Sequence, residues 1–228
     1  MDAATLQPAY VLHTRRYGDS SLLVELLTRG QGRMAAIAKG ALRARRPDAG
    51  IRPFQPLLVE LRGRGEVSTV VRAESVSPPL ALSGRDLYCG LYVNELLLRL
   101  TARQDACAAL FDDYAAALAG LVGPAPAEPV LRRFEVRLLG HLGLGLALDL
   151  DNLGQPIHPE ASYTYTVDTG AMPSSGGSTD VVRGSTLLAL RSGEFPDEER
   201  LAEARLLMRR ILNHHLDGRP LRSRELFR

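Results

Sequence analysis

The apolar pattern changes period once, at Ser77-Pro78-Pro79, and that change decides the fold class. Before it, apolar residues come in short runs broken by turns, the pattern of strands. After it, they recur every three or four residues, the pattern of helices. Residues 10–14 (YVLHT), 21–28 (SLLVELLT), 33–39 (RMAAIAK), 57–61 (LLVEL) and 67–73 (VSTVVRA) are predicted strands. Arg29-Gly30-Gln31-Gly32 and Gly63-Arg64-Gly65 read as the turns of two hairpins. Residues 40–53 (GALRARRPDAGIRP) are polar, basic and rich in chain breakers, so they read as a loop. Five short strands in about 70 residues close most simply as a small antiparallel barrel or sandwich.

The remainder is predicted helical. Leu87, Tyr88, Leu91, Leu97 and Leu98 share helical spacing within residues 84–102. A second helix is expected over 107–121, ending at Gly123-Pro124. A third over 130–142 sets Leu131, Phe134, Leu138 and Leu139 on one face, with Gly143 as the residue that ends it. Residues 149–184 are dense in Gly, Pro, Ser, Thr and Asp and read as an irregular excursion, with a short hairpin at 163–167. Ser185 is expected to cap a short helix to Leu190. Asp197 is expected to cap a longer one through Leu216, with Leu201, Ala204, Met208, Ile211 and Leu212 apolar. The class is α+β, with a β-module over 1–80 and a helical domain over 81–228.

Composition excludes several function classes. The chain has 228 residues, 45% apolar and 24% charged, with no Trp. That is enough to bury a core without disulfide staples. No apolar run approaches the ~20 residues that span a bilayer, and the N-terminal residues lack a signal-peptide pattern. Cys89 and Cys107 lie in apolar helical patterns and are expected to be buried free thiols of a reduced, cytoplasmic protein.

The formal net charge is +2, but it is unevenly placed. Residues 1–80 hold 12 basic and 7 acidic side chains, and residues 81–228 hold 16 and 19. Between residues 29 and 64 nine cations face two acids, a net of +7 over 36 residues. The last 29 residues hold eight Arg against three acids. All but one of the 28 basic residues are Arg, which suits phosphate but also follows from a GC-rich genome. The clustering reads either as a solvated loop or as a phosphate-binding surface. Tyr10, Tyr17 and Phe54 are either base-stacking platforms or core residues.

Catalytic patterns are missing from the sequence. Lys39, the only lysine, precedes Gly40, so there is no G-x-x-x-x-G-K-[ST] phosphate loop. Residues 140–145 (GHLGLG) lack the G-x-G-x-x-G spacing and follow a helix, so they read as a helix end. His13, His141, His158, His214 and His215 fit no zinc motif, and there is no G-x-S-x-G elbow. Asp149 and Asp151 are two carboxylates on one strand face, or part of a solvated loop. No catalytic constellation and no resident cofactor is expected.

Short matches in a fixed order then point to a family. They include residues 10–13 (YVLH), 20–23 (SSLL), Gly32-Arg33, 38–41 (AKGA), 55–57 (QPL), 63–66 (GRGE), Ala73-Glu74 and Leu87-Tyr88. They continue with 90–97 (GLYVNELL), Leu110-Phe111 with Tyr114, 131–135 (LRRFE) and 220–227 (PLRSRELF). On these the chain resembles RecO, the bacterial recombination-mediator family of DNA repair. The resemblance implies an oligonucleotide-binding (OB) barrel followed by a helical domain. It implies binding of single- and double-stranded DNA, ATP-independent annealing of complementary strands, and loading of the RecA recombinase together with RecR. It also implies docking of the helical domain on the acidic C-terminal tail of the single-stranded-DNA-binding protein (SSB). Many members carry a cysteine-based zinc site in the excursion; residues 149–172 contain no cysteine, so no metal is expected here.

Arg33, Lys39, Arg43, Arg45, Arg46, Arg62 and Arg64 are the residues expected to contact the DNA backbone, which gives register without sequence preference. Arg132 and Arg133 are expected to hold the SSB tail, and Arg219, Arg222 and Arg224 to extend the DNA surface. The competing reading is a protein-interaction adaptor that recruits RecR to SSB with little DNA binding of its own.

Overall fold

The computed structural model describes residues 6–42, 51–63, 65–174 and 180–227. Five strands come first: β1 (Gln7–Tyr17), β2 (Ser21–Thr28), β3 (Gly32–Ala38), β4 (Pro56–Arg62) and β5 (Val67–Ser75). They form a closed barrel in the order β1-β2-β3-β5-β4, in which β3 and β5 run parallel and every other pair antiparallel. This is an OB-fold barrel. Alternation explains it: Ala9, Val11, Val24, Leu26, Met34, Ala36, Ala38, Leu57 and Val59 point inward and make one buried cluster. Each expected strand is present, and β1 is longer than expected at both ends.

Helices α1 (Gly84–Leu100) and α2 (Ala108–Val122) belong to the same compact unit as the barrel, as do the C-terminal residues. That unit comprises Met1–Gly123 with Ser223–Arg228, and Pro124–Arg222 is the other. A bulge in β1 between Val11 and His13 frees the Leu12 carbonyl, which accepts a 2.9 Å bond from Asn94 Nδ2. Asn94 Oδ1 in turn accepts from the buried Tyr114 hydroxyl at 2.7 Å, so one side chain of α1 ties the barrel to α2. Burial pushes the Tyr114 phenol well above its ordinary value, with a smaller upward push from Tyr10, so it stays a neutral donor.

The face α1 buries differs from the one expected. Cys89, Gly90, Tyr92, Val93, Asn94, Leu96 and Leu97 are buried, while Tyr88 is exposed and Leu91 and Leu98 are half-buried. The helix is covered from several sides, so a single stripe does not describe it. Gly90 lies under the Phe54 ring. A 3-10 helix at Arg222–Phe227, not expected from the sequence, contributes the rest. Its Ser223 donates backbone N–H and hydroxyl bonds to Glu95 Oε2 at 2.8 and 2.7 Å, and Phe227 meets Tyr88 edge-on at 6.0 Å. Cys89 is buried as expected, but Cys107 is half-buried and caps α2 by accepting from the Leu110 N–H.

The second unit holds α3 (Ala127–His141), strands β6 (Ser162–Thr166), β7 (Gly170–Pro173) and β8 (Val181–Arg183), then α4 (Gly184–Ser192) and α5 (Glu198–His215). The excursion is therefore ordered over its described part as a three-stranded sheet, β7-β6-β8. Tyr163 and Tyr165 alternate inward on β6. α3 begins earlier than expected, after Pro126, with Pro129 in its first turn where a missing N–H costs nothing. Its end is as read: Gly143 takes φ +74°, Gly143 N–H bonds the Gly140 carbonyl and Leu144 N–H the Leu139 carbonyl. Asp197 caps α5 through its 2.8 Å bond from Arg200 N–H, whereas Arg183, not Ser185, holds the cap position of α4. Inside α3 the Arg132 guanidinium pairs with the fully buried Glu135 carboxylate.

Two substitutions test these buried contacts. Tyr114→Phe should cost about 1–3 kcal/mol in urea unfolding, because Asn94 loses a partner where water is excluded. Arg132→Ala should cost about 3–5 kcal/mol by leaving the Glu135 carboxylate without its cation, while Arg133→Ala stays below about 1 kcal/mol.

Candidate nucleic-acid interface

Strand register lays the outward side chains of the barrel in rows. One row runs Tyr10, Leu27, Arg33; the next His13, Glu25, Ala35, Val67; the next Arg15, Leu23, Ile37, Thr69, Arg62; and Tyr17 pairs with Ser21 beyond it. The first rows are largely covered. Tyr10 packs on Phe111 and Tyr114 of α2, with ring centroids 5.4 and 5.1 Å apart. The connector between α1 and α2, residues 101–107, lies over the start of β3. There Arg33 donates to the Thr101 carbonyl at 2.7 Å and to Glu25 at 3.3 Å. Arg103 bonds the other oxygen of Glu25, and Gln104 N–H bonds the Arg33 carbonyl at 2.9 Å. Gly32, at φ +68°, is the only residue type that fits, since a Cβ would sit 1.9 Å from the Asp105 carbonyl oxygen. Leu27 and Ala35 are almost fully buried although they face away from the barrel core.

Arg33, expected on the DNA surface, is thus mostly buried and committed to Glu25 and Thr101. Burial lowers its pKa, against the opposing pull of Glu25. Lys39 and Arg62 are exposed. Arg62 is 3.7 Å from Glu60 with its side chain 74% exposed, a pairing worth about 0–1 kcal/mol that leaves the guanidinium available. Arg43, Arg45, Arg46 and Arg64 lie outside the described residues.

The open half of the face also holds cations that charge counting missed. Arg15 is exposed there at the end of β1, with Arg16 exposed on the other side of the strand opposite Leu22, and together with Lys39 and Arg52 they make no ion pair with a described residue. Tyr17, next to them, is 52% exposed, while Phe54 and Tyr10 serve the core. The signal was present: Arg15-Arg16-Tyr17 directly precedes the Gly18-Asp19 turn, at a strand end where apolar alternation stops.

In the second unit Arg132 and Arg133 part company. Arg132 points inward to Glu135 and is 6% exposed. Arg133 is exposed, and its stem packs on Gly193, where a Cβ would fall 2.6 Å from Cγ. Around the same turn lies a surface cavity of about 750 Å³ lined by Leu188, Ala189, Arg191, Glu194, Phe195 and Pro196, among others. Of the C-terminal cations, Arg219 and Arg222 are exposed and Arg224 lies 6.0 Å over the Tyr92 ring. Asp151 accepts from the N–H groups of Leu153 and Gln155, so it builds a turn. Among the described residues no cluster of three or more His, Cys, Asp or Glu is placed to hold a metal ion, and no helix is long and apolar enough to cross a membrane.

Comparison with known proteins agrees across the whole chain. The model for the Recombination protein O N terminal matches residues 1–79, and that for the Recombination protein O C terminal matches residues 82–225. The DNA repair protein RecO of Stutzerimonas stutzeri is 48% identical over 227 residues, covering 99% of this chain and 94% of the relative. That of Methylococcus capsulatus is 46% identical over 225 residues, covering 98% and 93%. That of Pseudomonas aeruginosa (strain PAO1) is 45% identical over 229 residues, covering 100% and 96%. A closed barrel spanned by the N-terminal model, followed by helices spanned by the C-terminal one, makes this chain a member of the RecO family of DNA repair proteins.

Proposed function

We propose that the protein is a non-enzymatic recombination mediator. It binds single- and double-stranded DNA through its barrel, anneals complementary strands without ATP, and with RecR helps load RecA onto SSB-coated strands. The observation that carries this reading is the open half of the barrel face, where Arg15 and Lys39 stand exposed and unpaired among the described residues. Cations in that state attract phosphate and release its counterions, without sequence preference. Annealing then needs no bond chemistry: neutralised strands held on one protein, or on two copies, meet at a raised local concentration.

Arg133 and Arg191 beside a cavity whose wall includes Leu188, Ala189, Phe195 and Pro196 support the docking of an SSB tail, which is acidic with an apolar end. Arg132 takes no direct part, because its guanidinium is turned to Glu135.

Annealing of complementary oligonucleotides pre-coated with the cognate SSB, with no nucleotide or metal, tests the reading. Acceleration that disappears when the SSB tail is deleted is the expected result. Tail binding with no annealing would favour the adaptor instead. For the DNA contact itself, log K against log salt should slope at about −3 to −4 for ~4–6 neutralised phosphates, and a flat line would remove the electrostatic basis. Arg133→Glu should weaken tail-peptide binding at least tenfold in a titration, whereas unchanged binding would move the tail elsewhere.

A further inference from the structure

We infer that an unpaired DNA strand lies across only the far half of the barrel's outer face, its bases on Tyr17, Leu23 and Ile37 and its phosphates on Arg15, Lys39 and Arg62. This rests on the DNA-binding reading and specifies its site. In OB barrels generally, the strand 2–3 face and its flanking loops take oligonucleotides. Here the near half of that face is filled by the chain itself. Residues 101–107 cover it, Arg33 and Arg103 are spent on Glu25, and Gly32 lets the Asp105 carbonyl approach where no Cβ fits. A strand entering there would have to displace the connector.

The far half has the opposite character. Register joins Arg15 on β1, Leu23 on β2, Ile37 on β3, Thr69 on β5 and Arg62 on β4 into one outward row, cationic at both ends with two apolar side chains and a threonine between. Lys39 follows β3, and Tyr17 sits one outward position beyond Arg15 with half its surface open to water. Leu23 and Ile37 are only half-buried, and Val71 is 48% exposed at the β5 bulge. Apolar surface framed by exposed cations matches a strand whose base faces are free. A duplex hides those faces, so it gains from the cations alone.

The test uses the full chain and fluorescence anisotropy with labelled oligothymidylate and a duplex of equal length. Tyr17→Ala should weaken the single strand about ten- to hundredfold and the duplex less than threefold, and Tyr17→Phe should restore binding. Arg15→Ala with Lys39→Ala should weaken both ligands. Arg103→Ala, on the covered half, should leave both within about twofold. Tyr17, Arg15 and Lys39 are exposed enough that folding should persist, and Arg103→Ala, which leaves Glu25 with Arg33 alone, is compared at a temperature where thermal melts show it folded. If the wild type binds DNA but Tyr17→Ala and Arg15→Ala are silent while Arg103→Ala loses affinity, the strand runs over the near half and this inference fails alone. The same silence with no loss at Arg103 assigns the face to a protein partner and also overturns it. If the wild type binds no DNA, the DNA-binding reading falls first.

Discussion

Glu25 is the acid on which the barrel's outer surface turns. It lies in the middle of β2, faces outward, and is only 13% exposed, with Arg33 on one oxygen and Arg103 on the other. A carboxylate withdrawn from water that far costs several kcal/mol unless cations and hydrogen bonds offset the loss. Arg33 comes from the neighbouring strand, but Arg103 comes from the connector, so the acid holds that connector down on the sheet. Gly32 makes the approach sterically feasible, and Gln104 N–H completes it at the Arg33 carbonyl. One buried ionic group thereby settles which part of an OB-fold face remains open and which of its arginines remain available.

The barrel was legible because short apolar runs broken by Gly-rich turns mark strands, although β2 and β3 bury Leu27 and Ala35 on the outer face as well and so do not alternate cleanly. Helix ends were legible where a residue's own chemistry sets them: Gly143 at φ +74° and Asp197 bonding Arg200 N–H. What stayed hidden depends on partners distant in sequence. Arg33 and Arg132 look like surface cations because a sequence counts charges and does not show that Glu25 and Glu135 receive them. The buried face of α1 was misread for the same reason. The C-terminal segment that bonds Glu95 of α1 through Ser223 lies 128 residues away in sequence. Arg15 and Arg16 were overlooked because the charge window opened at residue 29, although their place before a turn marked them.

The small sheet in the excursion shows a different limit. Its strands are five, four and three residues long, set in a stretch rich in chain breakers, and β8 alone would never be recognised as a strand. It exists because β6 can bury Tyr163 and Tyr165 and pair on both edges. Local hydrogen bonds stiffen it further: the Tyr163 hydroxyl accepts from His158 N–H, and Asp151 gathers two N–H groups of its own turn. Side-chain to backbone bonds of this kind are what a segment with little apolar content can use to hold an ordered path.

On the mediator reading, free charge rather than formal charge sets how tightly the barrel holds DNA. The stretch from residue 29 to 64 counts +7, yet Arg33 is internal and Arg29 is bonded to Asp112 at 2.8 Å. A mediator that only brings strands together gains from this economy. Every phosphate contact adds salt-sensitive affinity, and a surface with many of them would keep the strand it should hand on. A few exposed cations around an apolar patch give contacts that form with any sequence and exchange readily. An annealed duplex buries the base faces that the patch would hold, so pairing itself removes part of the attachment. On the mediator reading, release then follows from the product's own structure and needs no nucleotide hydrolysis to drive it.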